Sequence, residues 1–179
     1  TWSAAVQTAN ILRGEAIVEV KYEAEEKVVV ACMAPPQSHP DADALEVMDM
    51  IMDNSAAGLI NLTLNQAQRV KAAGSGPSLQ NDAGAWQLWA VPKQGQTLEE
   101  AESLLMETVA KLKAGEFSNS DLQAVMTNFE LSEKTRLESN DARIGLLVSN
   151  FVQLKPWPAT VARLETLKKV TKEPVVAAA

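Results

Sequence analysis

The chain has 179 residues and a net charge of −7, with hydrophobic residues at 46% and charged residues at 22%. This length and composition fit one globular domain that can bury most of its apolar surface. The basic residues are scattered rather than clustered, which argues against nucleic acid as a partner because phosphate binding needs a basic patch. No apolar run approaches the roughly 20 residues that a membrane span requires.

The first third of the chain predicts two neighbouring strands. Residues 1–14 show no clean hydrophobic period, so we expect a lead-in segment or linker with a short helix. Residues 16–22 alternate apolar and polar side chains, which predicts a half-buried strand. Residues 28–33 form a continuous apolar run rich in valine, which predicts a strand buried on both faces or central in a sheet. The charged turn at 24–27 would let the two strands form an antiparallel hairpin.

Two helices are predicted next. The first follows the prolines at 35–40 and is capped by Asp41 or Asp43, of which Asp43 has the capping-box spacing with Glu46. A second short helix is predicted at 59–64, although alternating apolar residues there also permit a strand. The first helix has an apolar face made of Leu45, Met48, Ile51 and Met52.

A second pair of strands follows. Residues 69–73 predict a strand and residues 74–78 (GSGPS) a loop, because glycine, proline and serine favour turns. Residues 85–91 predict another strand, in which Trp86 and Trp89 point to opposite faces. At most one tryptophan can therefore face the side of the sheet that helices cover, and an exposed one would indicate a contact surface.

The rest of the chain is predicted to be helical. Thr97 and Glu100 begin a helix that runs from residue 98 to 113, and a glycine stop precedes a second helix near Ser120 or Asp121. A third helix starts near Asn140 or Asp141, a short one spans 161–167, and Thr171 caps a last turn. The third helix carries the apolar stripe Ile144, Leu147, Val148 and Phe151.

This order of elements predicts an α+β fold, an antiparallel β-sheet covered on one face by several helices. A doubly wound parallel sheet would need regular alternation of strands and helices, which is missing. We expect residues 15–179 to form a single domain and the chain to be a fragment of a larger, multi-domain protein.

No group of reactive residues forms a catalytic pattern, so we assign no catalytic and no metal-binding residue. His39 is the single histidine and Cys32 the single cysteine, the latter within a predicted strand, whereas a zinc site needs three or four ligands. The carboxylates between Asp41 and Asp53 have helix spacing and indicate a solvated face. The methionines are interpreted as core residues: Met33, Met48, Met50 and Met52.

Six segments, in this order, resemble the pitrilysin and insulinase-type zinc metallopeptidases, a family that includes the mitochondrial processing peptidase. The chain is similar to the second, non-metal-binding domain of a paired unit, as in bacterial members. The segments are residues 39–48 (HPDADALEVM), 57–62 (AGLINL), 92–102 (PKQGQTLEEAE), 113–117 (KAGEF), 136–140 (RLESN) and 170–174 (VTKEP).

The resemblance implies the fold of the half-domains of these metalloenzymes. In that family an H-x-x-E-H motif in the first domain holds zinc, whose bound water attacks the peptide. It therefore implies a non-catalytic domain of a zinc metallopeptidase, which helps to enclose a peptide-binding chamber. Its implied partners are a peptide substrate and a metal-bearing domain of the same protein that holds the zinc. This chain alone is expected to be inactive. The alternative is a structural or protein-interaction module of the same fold.

Some second domains of this family grip the substrate with an arginine and a tyrosine. Near the equivalent positions this chain has Asn65 and Lys71, with Arg69 displaced, and these three residues are the substrate-contact candidates. The compartment stays open between the bacterial periplasm and the cytoplasm.

Overall fold

The computed structural model describes residues 16–54 and 57–179, so the lead-in segment predicted over residues 1–14 lies outside the described residues. The described chain contains three strands: β1 (Val28–Ala34), β2 (Ala72–Leu79) and β3 (Gly84–Val91). A π-helical turn, Asn61–Asn65, precedes β2. The α-helices of the described chain are α1 (Ala42–Met52), α2 (Leu98–Lys113), α3 (Asn119–Arg136), α4 (Asn140–Val152), α5 (Trp157–Val161), α6 (Arg163–Leu167) and α7 (Lys172–Ala178).

The strands form an antiparallel sheet in the order β1-β3-β2. Trp86, Leu88 and Ala90 of the central strand β3 are buried on one face, and helices α1 and α2 pack on this side of the molecule. The fold is therefore α+β with helices against one face of an antiparallel sheet, and the predicted fold class is confirmed.

Helix α2 has the predicted bounds because its ends carry strong signals. The Thr97 hydroxyl accepts a hydrogen bond from the Glu100 amide, and the Glu100 carboxylate accepts one from the Thr97 amide. The helix ends before Gly115, whose φ of 69° is a left-handed conformation that favours glycine. The apolar face packs on the sheet through Ala101, Leu105, Val109 and Leu112.

Strand β1 corrects the prediction of a doubly buried or central strand. It lies at an edge of the sheet and, in the part of the chain that the structure describes, pairs only with β3. Of its residues only Ala34 is buried, and Cys32 and Met33 are exposed. The prediction that Met33 is a core residue is therefore wrong. The apolar run therefore indicates a strand but not its place in the sheet.

The predicted strand at 16–22 is wrong. These residues have no regular structure, and the side chains of Ile17 and Tyr22 are 88% and 85% exposed. Strand β1 pairs with β3, which is far away in sequence, instead of forming a hairpin with residues 16–22. In this pairing Val28 and Val30 of β1 lie beside Ala90 and Leu88 of β3. Leu88 and Ala90 are buried, so they provide the apolar neighbours that β1 needs.

Strand β2 is longer than predicted and continues through the supposed loop at 74–78. Every residue from Ala72 to Leu79 has a partner in β3. Pro77 is compatible with this strand because β2 is an edge strand, where a residue without an N–H group loses no ladder hydrogen bond. The turn-forming residues are therefore part of the sheet.

The remaining comparisons concern where helices begin and end. Asp41, not Asp43, precedes α1, so Asp43 lies inside the helix and cannot form the predicted capping box. Asp43 and Glu46 instead both pair with Arg163. The helix predicted at 59–64 is confirmed and its strand alternative is wrong. Of the short helix predicted at 161–167, residues 163–167 form α6, and Val161 is the last residue of α5, which begins earlier at Trp157.

Candidate functional surfaces

One face of the sheet is open and apolar. Residues of β1 and β3 alternate between faces, so Val29, Ala31 and Met33 lie opposite Trp89, Gln87 and Ala85 on the side away from Leu88. Val29, Ala31, Met33 and Gln87 are exposed, with Met33 61% exposed. The β2 residues on this face are small, since they are Ala72, Gly74, Gly76 and Ser78. The face is therefore a shallow apolar floor.

Trp89 is the largest side chain on this open face. The Lys27 ammonium lies 5.0 Å from the centre of its ring, a cation–π contact. A Cβ atom on Gly74 would lie only 2.8 Å from the Trp89 ring, so the ring occupies the space that a side chain at position 74 would need. Trp86 instead is buried, and the prediction that at most one tryptophan faces the covered side is confirmed.

Side chains block the outer edge of β2. The Asn65 amide donates to the carbonyl of Ala73 (2.9 Å) and accepts from its N–H (2.8 Å). The Asp53 carboxylate accepts from the Ser75 N–H at 2.9 Å. Pro77, at the next outward position, has no N–H at all. The backbone donors that an added strand would need at this edge are therefore occupied or missing.

The three substrate-contact candidates all have partners inside the domain. Asn65 holds the edge of β2, and Arg69 forms a two-pronged ion pair with Glu107 of α2, with its shorter N–O distance at 2.8 Å. Lys71 pairs with Glu25, which lies just before β1. The structure thus places Asn65 and Lys71 at opposite ends of the segment that leads into β2. Arg69 lies between them in this segment, and its side chain contacts α2.

Asp49 of α1 and Asp53, which follows α1, contact β2, which the sequence pattern did not indicate. Asp49 accepts hydrogen bonds from the Ser75 hydroxyl (2.6 Å) and the Trp86 indole N–H (2.7 Å). Burial raises the pKa of Asp49 and the neighbouring Asp53 carboxylate raises it further, while the two hydrogen bonds oppose the shift. The interpretation of this side of α1 as a solvated face is therefore wrong.

The described residues form no metal centre. Within residues 16–54 and 57–179, no group of three or more His, Cys, Asp or Glu side chains is arranged to hold a metal ion. His39 lies in an exposed loop, where its Nδ1 accepts from the Asp41 amide at 3.2 Å. None of the helices in those two ranges is long and apolar enough to span a bilayer.

Helix α4 exposes the apolar stripe that the sequence predicted on it. Val148 is 57% and Phe151 83% exposed, and Ile144 and Leu147 are exposed to a similar degree. Asn150 is the one residue of α4 that is buried, and its amide donates to the Thr160 hydroxyl at 2.7 Å. Most of the apolar side of this helix therefore points away from the domain.

A cleft lies on either side of α4. The first, of about 780 Å³, separates α4 from α1 and the end of β2 and is lined by Glu46, Leu79 and Ser149 among others. The second, of about 680 Å³, lies between α4 and the α3, α5 and α6 helices, where Phe129, Leu147 and Trp157 make it apolar. The two clefts thus leave helix α4 with little contact with the rest of the domain.

Comparison with known families identifies the family of this chain. Residues 5–129 match the family described as the peptidase M16 inactive domain, and the chain belongs to that family. The resemblance drawn from the six segments is thereby confirmed. A search among curated proteins found no match.

Solved structures share the fold at low sequence identity. A protease from Helicobacter pylori superimposes with a TM-score of 0.78 at 18% identity, covering 84% of this chain and 37% of that one. The inactive peptidase domain of a candidate zinc protease from Bordetella parapertussis gives 0.69 at 18% identity, over 90% of this chain and 88% of that one. A peptidase M16 inactive domain from Pseudomonas fluorescens gives 0.72 at 15% identity, over 92% and 43%. The chain thus spans well under half of two of these three structures.

Proposed function

We propose that this chain is a non-catalytic domain of a zinc metallopeptidase, where it lines a peptide-binding chamber and packs on a metal-bearing partner domain. Membership of the inactive-domain family supports the non-catalytic role. The zinc would be held by the partner, and the zinc-bound water there would attack the peptide. What this chain supplies is a wall and a contact surface.

The open sheet face is the observation that carries the chamber role. An extended peptide needs a shallow surface with room for alternate side chains, and Ala72 and Gly76 leave that room. A Cβ atom on Gly76 would meet no atom within 4 Å, so the floor is open at this point. Val29, Met33 and Trp89 offer apolar contacts without binding a particular sequence.

The blocked edge of β2 limits how a peptide can lie on this domain. Because Asn65 and Asp53 occupy the backbone groups of Ala73 and Ser75, a peptide cannot add there as another strand without displacing them. Contacts with the open face would therefore come mainly from side chains. This fits a supporting wall better than a site that fixes the register of the scissile bond.

Peptide hydrolysis tests the proposal. This chain alone should show no chelator-sensitive cleavage, and the chain combined with its metal-bearing partner should cleave extended peptides. In that complex, Trp89→Ala should raise KM by roughly tenfold and change kcat little, because the ring contributes binding rather than chemistry. Met106→Ala removes an exposed apolar side chain from α2, on the opposite side of the sheet, and serves as the control.

The outcomes separate the possibilities. Zinc-dependent cleavage by the chain alone would contradict a non-catalytic role. Equal KM values for Trp89→Ala and Met106→Ala would contradict peptide contact at the open face.

The second candidate is a structural or protein-interaction module of the same fold. It is favoured by the internal partners of Asn65, Arg69 and Lys71, which leave these side chains little freedom to hold a substrate. The partner domain distinguishes the two functions: an intact H-x-x-E-H motif there supports the peptidase, and a degenerate one supports the module.

A further inference from the structure

Helix α4 has its hydrophobic and polar sides reversed relative to the domain. A helix on a globular domain normally turns its apolar stripe inward. Here Ile144, Leu147, Val148 and Phe151 recur at steps of three and four on the outward side, each more than half exposed. The residue that faces inward and is buried is the polar Asn150. The apolar stripe therefore suits a surface outside this domain.

Gly145 is a second, independent indication. Glycine in the interior of a helix is destabilising relative to alanine, so its presence there needs a reason. A Cβ atom at this position would meet no atom within 4 Å, so packing inside the domain does not require a glycine. On the helix surface Gly145 lies one turn before Val148, between the apolar stripe and the first cleft. Its missing side chain allows another backbone to approach α4 closely.

Two cations lie near the ends of α4, Arg143 beside the stripe and Lys155 at the first cleft, and they indicate the charge of what covers the helix. The Arg143 guanidinium bonds the Leu137 carbonyl and the Asn140 side chain, both uncharged acceptors. Lys155 follows the other end of α4, and within residues 16–54 and 57–179 neither cation has a carboxylate partner. On a chain with a net charge of −7, these cations attract a partner that carries acidic groups at matching positions.

We propose that α4 binds a helix of the metal-bearing partner domain. The apolar stripe of that helix packs on Leu147, Val148 and Phe151, its backbone approaches at Gly145, and its carboxylates pair with Arg143 and Lys155. A helix fits because residues spaced three and four apart form the ridges and grooves through which helices pack. This assignment rests on the proposed function, from which the partner is taken.

Binding of this chain to the purified H-x-x-E-H domain encoded with it tests the assignment. Val148→Asp should weaken binding by roughly thirtyfold or more, because it places a charge at the centre of an apolar contact. Met106→Asp, on α2, introduces the same charge at an exposed apolar position away from α4 and should change affinity by less than about twofold. Circular dichroism of both variants checks that each remains folded.

Gly145→Ala gives a readout that a purely structural role would not. In the unbound chain the substitution should leave the unfolding midpoint unchanged or raise it, since alanine favours helix and has room. In the complex it should weaken binding, because the added methyl group separates the two backbones. Arg143→Glu should weaken binding as well and reduce its dependence on salt concentration.

Each result decides between the proposals. If the wild-type chain binds and Val148→Asp and Gly145→Ala bind equally well, α4 is not the contact and the proposed function stands. If the wild-type chain does not bind the partner domain at all, both proposals fail. If sedimentation shows a dimer of this chain that Val148→Asp dissociates, the stripe is covered by a second copy and the assignment is overturned.

Discussion

At the residue scale, Asp49 shows how tertiary contacts change what a sequence pattern means. Its spacing from Asp43 and Glu46 is that of a solvated helix face, and nothing in the sequence distinguishes the three. In the structure the edge strand β2 and Trp86 of β3 approach Asp49, whose carboxylate accepts hydrogen bonds from Ser75 and Trp86. Such a contact depends on strands more than twenty residues away, so helix periodicity alone could not predict it.

Asp49→Asn should make the chain less sensitive to pH. Because burial raises the folded-state pKa of Asp49, the native state holds this proton at pH values where the unfolded chain has released it. The contribution of Asp49 to stability is therefore full below the ordinary aspartate pKa and falls as pH rises through the folded-state value. Asparagine keeps the acceptor oxygen but cannot ionise.

Urea unfolding at several pH values measures this effect. The free energy of unfolding of Asp49→Asn, relative to wild type, should increase from pH 4 upward and then level off above the folded-state pKa. Asp82→Asn, which removes an exposed carboxylate in the turn between β2 and β3, is the control. A difference that is independent of pH would contradict the raised pKa.

At the scale of elements, local signals predicted the helices better than the strands. Thr97 with Glu100 and Ser118 with Asp121 form the capping boxes of α2 and α3. Helix α2 begins where it was predicted, and α3 begins one residue before its predicted start at Ser120 or Asp121. Residues 74–78 instead contain glycine, proline and serine, which favour turns when considered alone. Their pairing with β3 overrides that preference, because an edge strand tolerates Pro77.

Asn65→Ala should destabilise the domain by about 1–2 kcal/mol, because it removes both hydrogen bonds between the Asn65 amide and Ala73. Urea unfolding measures the loss, and Gln66→Ala is the control because that neighbouring side chain is exposed. If Asn65→Ala left stability unchanged but weakened peptide binding in the complex, Asn65 would be a substrate contact and not a structural residue.

At the scale of the whole molecule, the fold class and the family could be predicted from the sequence, and the side to which α4 turns its apolar stripe could not. Periodicity located the stripe that contains Ile144 and Phe151, but a period shows only that apolar residues share one side of a helix. Which way that side points depends on neighbours, and here the buried Asn150 decides it. The substrate-contact roles of Asn65, Arg69 and Lys71 remain predictions.

Hydrogen exchange should show that α4 opens more readily than the rest of the domain. Helix α4 buries one residue and lies between two clefts, whereas α2 buries five and packs on the sheet. Few buried contacts mean a low free energy of local opening. Amides of residues 140–152 should therefore exchange faster than those of residues 98–113, as followed by mass spectrometry. Equal protection of both helices would show that α4 is held as firmly as α2.

The two margins of the sheet differ, and this sets a limit on self-association. One margin is sealed by Asn65, Asp53 and Pro77, while in the described part of the chain no strand lies beyond β1 at the other. A fibril needs two free sheet edges on every molecule, so that each copy can pair with a neighbour on both sides. With at most one available, molecules that join through their backbones stop at a pair, so crowding should not yield fibrils.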